Sequence, residues 1–113
     1  MVELKEGEEK EQILFVQWFR RTYPNVLIFH IPNGGKRGKA EAARFKAMGV
    51  VAGVPDLYIP EWKIWIEMKE KDGGRVSEYQ EFIHEYLTAI GDRVIVGKGY
   101  EEAKDKLQRL LAL

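Results

Sequence analysis

The chain is predicted to be an α/β protein in which a mixed β-sheet is flanked by helices, in the order α-β-α-β-β-α-β-α. Three observations support this class. Apolar residues recur at helical spacing near both ends of the chain, short β-branched and aromatic runs separate the helices, and Gly or Pro turn signals lie between the segments. A length of 113 residues is sufficient for one core, so residues 1–113 are predicted to form a single domain.

The helices are recognised by their periodicity and by the signals at their ends. They are predicted over residues 8–22, 39–48, 77–90 and 100–113. Pro24 ends the first helix, because a residue that precedes proline avoids the helical conformation. Gly49 and Gly91 are placed to end the second and the third. Ser77 and Gln80 have the spacing of a capping box at the start of the third helix.

The strands are short apolar runs bounded by turn residues. They are predicted over residues 26–31, 56–59, 63–69 and 94–96, and the second and third are expected to form a hairpin. Residues two apart on a strand point to the same face, at a rise of about 3.3 Å per residue. Trp65, Glu67 and Lys69 therefore share one face of the third strand. The opposite, apolar face has Ile64, Ile66 and Met68.

Composition restricts the functional classes. Without cysteine, the chain has neither disulfides nor thiolate metal sites, which fits a reducing compartment, and a cytoplasmic location is expected. No apolar run approaches the ~20 residues that span a membrane, and residues 1–12 are charged and unlike a signal peptide. The formal net charge is +0. A local basic cluster is either a solvated face or a phosphate-binding surface. Its members are Lys36, Arg37, Lys39, Arg44 and Lys46.

Two acids and a lysine are predicted to meet at one edge of the sheet. Asp56 follows the turn signal Gly53-Val54-Pro55, and Glu67 and Lys69 lie on one face of the next strand. A carboxylate in surroundings as apolar as those of Glu67 is costly to bury unless it is paired or bound to a cation. The grouping suits a divalent metal and a water that the metal activates. The alternatives are a backbone-capping role for Asp56 and edge-strand charges for Glu67 and Lys69.

Further residues are candidates for the same site. Glu11 lies on the apolar stripe of the first helix, unlike Glu8, so it either completes a metal site, directly or through water, or interacts with the helix dipole. Gln80 is placed to close the capping box. Met68 faces the core, so only its backbone carbonyl is available to a metal. Neither His30 nor His84 is predicted to be catalytic.

The loop after the first strand is a candidate phosphate site. Asn33, Gly34 and Gly35 offer bare backbone N–H groups next to Lys36 and Arg37. A plain tight loop explains the glycines equally well, but it does not explain the basic cluster that follows them. Contacts from such a cluster to backbone phosphates would position a duplex without reading its sequence.

The order of these motifs resembles that of the virus-type replication-repair nuclease (VRR-NUC) domains, a branch of the PD-(D/E)XK nuclease superfamily. The matching segments are Glu11-Gln12, Trp18-Phe19-Arg20, His30-Ile31-Pro32-Asn33-Gly34-Gly35, residues 49–56, Glu67-Met68-Lys69, Gly74, Ser77, Gln80 and Gly91. They occur in the family's order over roughly residues 8–100. The Pro-Asn-Gly-Gly loop and the Gly-Val-Pro-Asp turn make the ordered set specific.

The resemblance implies a restriction-endonuclease-like core and a metal-dependent phosphodiesterase that cuts DNA with a 3′ oxygen as leaving group. The implied metal ligands for Mg²⁺ or Mn²⁺ are Glu11, Asp56, Glu67 and the Met68 carbonyl. The implied catalytic residues are Asp56, Glu67, Lys69 and Gln80. A place for Gln80 near the active centre is expected to compete with its capping role for one side chain. The expected DNA contacts are Asn33, Gly34, Gly35, Lys36, Arg37, Lys39, Arg44 and Lys46.

The resemblance also implies a homodimer that resolves four-way (Holliday) junctions, since two active sites related by a two-fold axis can cut two strands of a symmetric junction. The alternatives are a flap- or end-processing nuclease, a catalytically silent nucleic-acid-binding module of the same fold, and a small protein-interaction domain.

Overall fold

The computed structural model describes residues 7–32 and 38–113 of the chain. Its elements are α1 (Glu8–Thr22), β1 (Phe29–His30), α2 (Lys39–Ala47), β2 (Leu57–Ile59), a 3-10 helix (Pro60–Trp62), β3 (Ile64–Lys69), α3 (Glu78–Ala89), β4 (Arg93–Lys98) and α4 (Tyr100–Leu111). The predicted order of helices and strands is confirmed, with the 3-10 helix inserted between β2 and β3. The expected phosphate-binding residues Asn33, Gly34, Gly35, Lys36 and Arg37 lie outside the described residues.

The described strands form one mixed sheet in the order β1-β2-β3-β4. β2 pairs antiparallel with both β1 and β3, whereas β3 and β4 are parallel. α3 makes the long crossover that parallel neighbours require. The register pairs Leu57 with Ile66, and Ile66 with Ile95, so these three side chains share one face of the sheet.

β1 is shorter than predicted, because only Phe29 and His30 of the expected strand 26–31 pair with β2. Continuing the antiparallel register would bring Leu27 opposite Pro60. Proline has no backbone N–H to donate, and the chain turns into the 3-10 helix there. Leu27 consequently lies outside the sheet and is 63% exposed, whereas Ile28 packs in the core.

The main core lies between one face of the sheet and helices α1 and α4. Its buried side chains include Phe15, Phe19, Leu57, Ile59, Ile64, Ile66, Met68, Ile95, Ala103 and Leu107. α4 approaches β4 so closely that a Cβ at Gly97 would lie 2.4 Å from the Cβ of Ala103. Because side chains alternate along each strand, Glu67 and Lys69 point to the opposite face of the sheet.

α3 packs on this opposite face and buries only Leu87 among its own residues. α2 buries none of its side chains. Apolar groups near both helices stay in contact with solvent, including Met48 (72% exposed), Tyr79 (72%) and Phe82 (68%). Within the described ranges, no helix combines the length and apolar character needed to cross a bilayer.

Candidate active site

Asp56 and Glu67 occupy adjacent positions on the sheet face that carries α3. Since Leu57 pairs with Ile66, Asp56 lies beside Glu67 in the next cross-strand row. The backbone N–H of Met68 donates to Asp56 Oδ2 at 2.7 Å. Glu8, the first residue of α1, completes the group: Glu8, Asp56 and Glu67 each contribute a carboxylate oxygen, and these oxygens lie within 4.8 Å of one another. This spacing allows the three acids to share one cation.

The turn before β2 brings Asp56 against α3. Gly53 has φ +90°, and a Cβ there would lie 2.6 Å from the carbonyl oxygen of Tyr79. A side chain at Gly53 would therefore be both strained and in collision with backbone. Pro55 is buried directly before Asp56. The conformation of the Gly-Val-Pro-Asp segment thus determines the position of the Asp56 carboxylate.

Burial and the interaction between the two sheet carboxyls perturb the protonation of both. Burial raises the pKa of Asp56 to about 7, and the charge of Glu67 and hydrogen bonding to it add to the increase, against opposing effects of Met68 N–H and His30. Burial also raises the pKa of Glu67, while Asp56 and Lys69 act in the other direction. Two carboxylates this close resist being ionised together. A divalent cation would relieve that repulsion, so this donor set fits a hard metal ion.

Gln80 connects α3 to Glu67. Its Nε2 donates to Glu67 Oε2 at 3.2 Å, while its Oε1 accepts from the backbone N–H of Ser77 at 2.8 Å. Ser77 Oγ in turn accepts from the backbone N–H of Gln80 at 3.2 Å, which completes the capping box. The prediction that the two roles of Gln80 compete is wrong, because the acceptor and donor ends of one amide serve them at the same time.

Lys69 and His84 complete the surroundings of Glu67. Lys69 Nζ lies 3.9 Å from Glu67 Oε2, with only 10% of its side chain exposed. His84 Nε2 lies 3.4 Å from Glu67 Oε1. Burial and, after it, the charge of Lys69 lower the pKa of His84, which favours a neutral ring that donates to Glu67. From the sequence, His84 is not predicted to be catalytic. Its position one helical turn after Gln80 is the signal that places both on one face of α3.

Glu11 lies apart from the group of three acids. Its Oε1 accepts from the backbone N–H of Tyr100 at 2.7 Å, so it binds the N-terminus of α4. Glu8, which was expected to face away, holds the position predicted for Glu11. The signal for Glu8 is that it precedes the buried Phe15 by seven residues, the spacing that puts both on one side of a helix. Side chains of α1 also lean towards its N-terminus, where the strands β2 and β3 present Asp56 and Glu67.

The backbone of Met68 and the side chain of His30 both contact Asp56. The Met68 side chain is buried in the core. In a strand the N–H and C=O of one residue point to the same side, so the Met68 carbonyl faces the edge where its N–H meets Asp56. The Lys69 carbonyl faces β4 instead and accepts from Gly99 N–H at 3.0 Å. His30 Nδ1 lies 2.8 Å from the Asp56 carbonyl oxygen, so the His30 ring contacts the backbone of Asp56.

The described members of the basic cluster lie on α2. Lys39, Arg44 and Lys46 are all exposed. Arg44 stacks its guanidinium over the Phe45 ring at 5.4 Å from the centroid. Lys46 lines an open groove of about 1130 Å³ between α2 and α3, whose walls include Phe45 and Phe82. These cations therefore occupy a flank next to α3, separate from the carboxylates.

Comparison with known proteins identifies a structural match. The sequence matches no protein-family model, and no curated protein matches it significantly. A solved structure described as a "VRR_NUC domain protein" superposes with a TM-score of 0.77 at 28% sequence identity, over 96% of this chain and 91% of the other. The match confirms both the resemblance and the restriction-endonuclease-like fold that the ordered motifs predict. The chain therefore folds as a VRR-NUC domain, a nuclease-type domain with a mixed sheet between helices.

Proposed function

We propose that the protein is a divalent-metal-dependent DNA endonuclease that hydrolyses phosphodiester bonds in branched DNA as a homodimer. The observation that carries this proposal is the convergence of Asp56, Glu67 and Lys69 on one sheet face, joined there by Glu8. Two carboxylates and a lysine that emerge from neighbouring strands, with a third acid from a helix, form a set suited to phosphodiester hydrolysis.

Oxygen ligands of this kind favour Mg²⁺ or Mn²⁺. Glu8, Asp56 and Glu67 would hold the ion, and the Met68 carbonyl faces the same edge. The ion would polarise the scissile phosphate and lower the pKa of a bound water. Glu11 is assigned a structural role, because its carboxylate is engaged by Tyr100 N–H.

The remaining side chains orient the reacting groups. Lys69 is proposed to hold the attacking water or to stabilise charge on the phosphoryl oxygens, since its ammonium group lies within 4 Å of Glu67 and is almost buried. Gln80 and His84 contact one oxygen each of Glu67 and are proposed to keep its carboxylate in one orientation. Such supporting contacts typically change metal affinity or activity by about 10- to 100-fold when they are removed.

DNA contacts are proposed for residues 33–37 and for the exposed cations of α2, Lys39, Arg44 and Lys46. They would bind backbone phosphates and would contribute affinity without sequence preference.

The dimer is proposed to form through an apolar row on α3, here called the α3 stripe: Tyr79, Phe82, Tyr86 and Ile90. Their spacing puts them on one side of the helix, and they are between 58% and 72% exposed. A two-fold axis would pack the stripe against its own copy, as closed dimers require. Two other apolar residues are less available for an interface, since Leu107 is buried in the core and Trp62 packs against it.

A cleavage panel tests the proposed function. Labelled four-way junction, flap, duplex and single-stranded DNA are incubated with the protein in Mg²⁺, Mn²⁺ or EDTA. We expect metal-dependent cleavage of branched substrates, loss of cleavage in Asp56→Asn and Lys69→Ala, and retention in Leu27→Ala, a matched control at an exposed site away from the carboxylates. Cleavage that persists in both active-site variants contradicts the roles assigned here.

The same panel separates the alternatives. A flap- or end-processing nuclease would cut flaps or ends and leave four-way junctions intact. A silent nucleic-acid-binding module would bind DNA in EDTA and cut nothing in either metal. A protein-interaction domain would have no affinity for DNA under any of these conditions.

A further inference from the structure

An aromatic row crosses the sheet next to the proposed catalytic carboxylates. Phe29, Tyr58 and Trp65 are cross-strand partners in β1, β2 and β3. The ring centroids of Phe29 and Tyr58 are 6.0 Å apart at 84°, and those of Tyr58 and Trp65 are 4.1 Å apart at 30°. Asp56 and Glu67 form the adjacent cross-strand row, two residues along the strands, which corresponds to about 6.6 Å.

The row lies outside the main core. The side chains of the opposite face, such as Leu57 and Ile66, are fully buried, whereas Phe29 is 41% exposed and Tyr58 and Trp65 are partly exposed. Trp65 Nε1 donates to Asp92 Oδ2 at 2.9 Å, which fixes the orientation of its ring. Cross-strand packing explains the ring contacts within the row, but 41% of Phe29 at the edge strand remains open to solvent.

Cations lie on the other side of the carboxylates. Lys69 and Lys98 are cross-strand partners in β3 and β4, two residues beyond Glu67. Along the sheet face the order is therefore aromatic row, carboxylates, lysines. A nucleic acid strand that placed a phosphate at the carboxylates would have cations beside its backbone on one side and aromatic rings on the other.

We propose that Phe29 and Tyr58, with Trp65 behind them, stack on an unpaired base beside the phosphodiester that is cut, so that the substrate is DNA with an unstacked nucleotide at the scissile position. This inference rests on the proposed function, because that function places the scissile phosphate at Asp56 and Glu67. Bases of any kind stack on aromatic side chains, so the row would select DNA by its local structure and not by its sequence.

Base fluorescence tests the stacking directly, without cleavage. DNA carrying 2-aminopurine at a single unpaired position of a flap, or at the same position of an intact duplex, is titrated with protein in EDTA. We expect quenching of the unpaired probe, with little change for the paired probe. Phe29→Ala should reduce the quenching, because only Tyr58 remains to stack, and should weaken binding of the flap by about 5- to 100-fold, the range expected for loss of one stacked base.

Two variants serve as controls for folding and for exposed apolar area. Phe29→Trp retains an aromatic surface and should retain quenching. Leu27→Ala removes an exposed apolar side chain two residues away and should leave quenching unchanged. Thermal unfolding followed by circular dichroism checks that each variant is folded.

The outcomes distinguish this inference from the proposed function. If the native protein does not quench the unpaired probe, or if Phe29→Ala quenches it equally well, the stacking role is overturned even if Mg²⁺ supports cleavage. Quenching that depends on Phe29 without cleavage in either metal supports stacking and overturns the nuclease. Equal cleavage rates on flap and intact duplex, unaffected by Phe29→Ala, also overturn the stacking role.

Discussion

The raised pKa of the Asp56 carboxyl makes the stability of the protein depend on pH. Its pKa is raised from 3.8 to about 7 by burial and by Glu67. The folded state therefore binds the proton more tightly than the unfolded state. In the absence of metal, the associated stability is fully present below about pH 4 and is lost as the pH rises through about 7.

The variant Asp56→Asn should remove that pH dependence, since an amide has no proton to lose. Without divalent ions we expect the variant to match the native protein near pH 4 and to exceed its free energy of unfolding by about 2–4 kcal/mol at pH 8–9. Urea unfolding in EDTA at several pH values measures the difference. The amide oxygen still accepts from Met68 N–H, so this contact is a constant in the comparison. Parallel pH curves for the two proteins would contradict the prediction.

Glu8 and Glu11 lie one helical turn apart and are expected to differ in function. Glu8→Gln should weaken Mn²⁺ binding by about tenfold or more, because a carboxylate oxygen is lost from the group of three acids. Glu11→Gln should leave Mn²⁺ binding within about twofold and reduce the free energy of unfolding by about 1 kcal/mol, since a weaker acceptor meets Tyr100 N–H. Calorimetric titration with Mn²⁺ and urea unfolding separate the two effects. If instead Glu11→Gln weakens Mn²⁺ binding and Glu8→Gln does not, Glu11 is the ligand.

At the level of the elements, α3 has two tasks that meet in its first turn. The capping box of Ser77 and Gln80 satisfies backbone N–H groups at the start of the helix. The same Gln80 side chain reaches Glu67. The N-terminus of α3 is therefore coupled to the orientation of Glu67, a proposed metal ligand. The contributions of Gln80 to helix capping and to the orientation of Glu67 can be separated by choice of variant.

Ser77→Ala and Gln80→Glu form a matched pair. Ser77→Ala should reduce the free energy of unfolding by about 1 kcal/mol, the usual cost of a lost N-cap, with cleavage within about threefold of the native rate. Gln80→Glu keeps an acceptor for Ser77 N–H but loses the donor to Glu67. It should keep most of the stability and reduce cleavage by about 10- to 100-fold. A stable and fully active Gln80→Glu variant would show that the contact with Glu67 is dispensable.

The helices and strands themselves show which local signals are sufficient. α1 has the predicted bounds of Glu8–Thr22, because helical periodicity and Pro24 both act within a few residues. β1 is cut from six predicted residues to Phe29–His30, because its length depends on a partner strand that stops at Pro60. Propensity describes a segment, whereas pairing depends on a second segment far away in sequence.

For the molecule as a whole, the α3 stripe should control association. Phe82→Glu places a charge in the centre of the proposed interface, and we expect the dimer to dissociate to monomers at micromolar concentration. Since Phe82 is 68% exposed, the fold should persist, with a normal circular dichroism spectrum. Sedimentation velocity provides the measurement. Leu27→Glu, at an exposed residue outside the stripe, should remain dimeric. A native protein that sediments as a monomer would remove the dimer from the proposal.

The distribution of charge predicts a dependence of DNA binding on salt. If the α2 cations together with Lys36 and Arg37 neutralise about four phosphates per protomer, affinity should fall on the order of 100-fold between 50 and 200 mM salt. Lys39→Gln combined with Lys46→Gln should reduce the slope by about two ion equivalents. Fluorescence anisotropy in EDTA measures both slopes. A slope that these substitutions leave unchanged would exclude α2 from the DNA contacts.

As with the fold, part of the candidate site could be predicted from the sequence and part could not. The partnership of Asp56 with Glu67 and Lys69 follows from period-two alternation on adjacent strands, so it is readable in the order of the residues. The presence of Glu8 in place of Glu11, and of His84 beside Glu67, depends on how α1 and α3 are set against the end of the sheet. Periodicity identifies the residues on one face of a helix, but it does not show which of them lies level with a given strand.

Local chemistry along the chain was enough to establish the element order, the turn that carries Asp56, the capping box and the face shared by Glu67 and Lys69, because each depends on neighbours within a few residues or on one strand pairing. Packing in three dimensions selected the third acid, gave Gln80 two simultaneous partners, engaged Glu11 with the backbone of α4, and aligned aromatic side chains from three strands. These features join segments as distant as Glu11 and Tyr100, and no spacing within one segment encodes the relative depth and angle at which two segments meet.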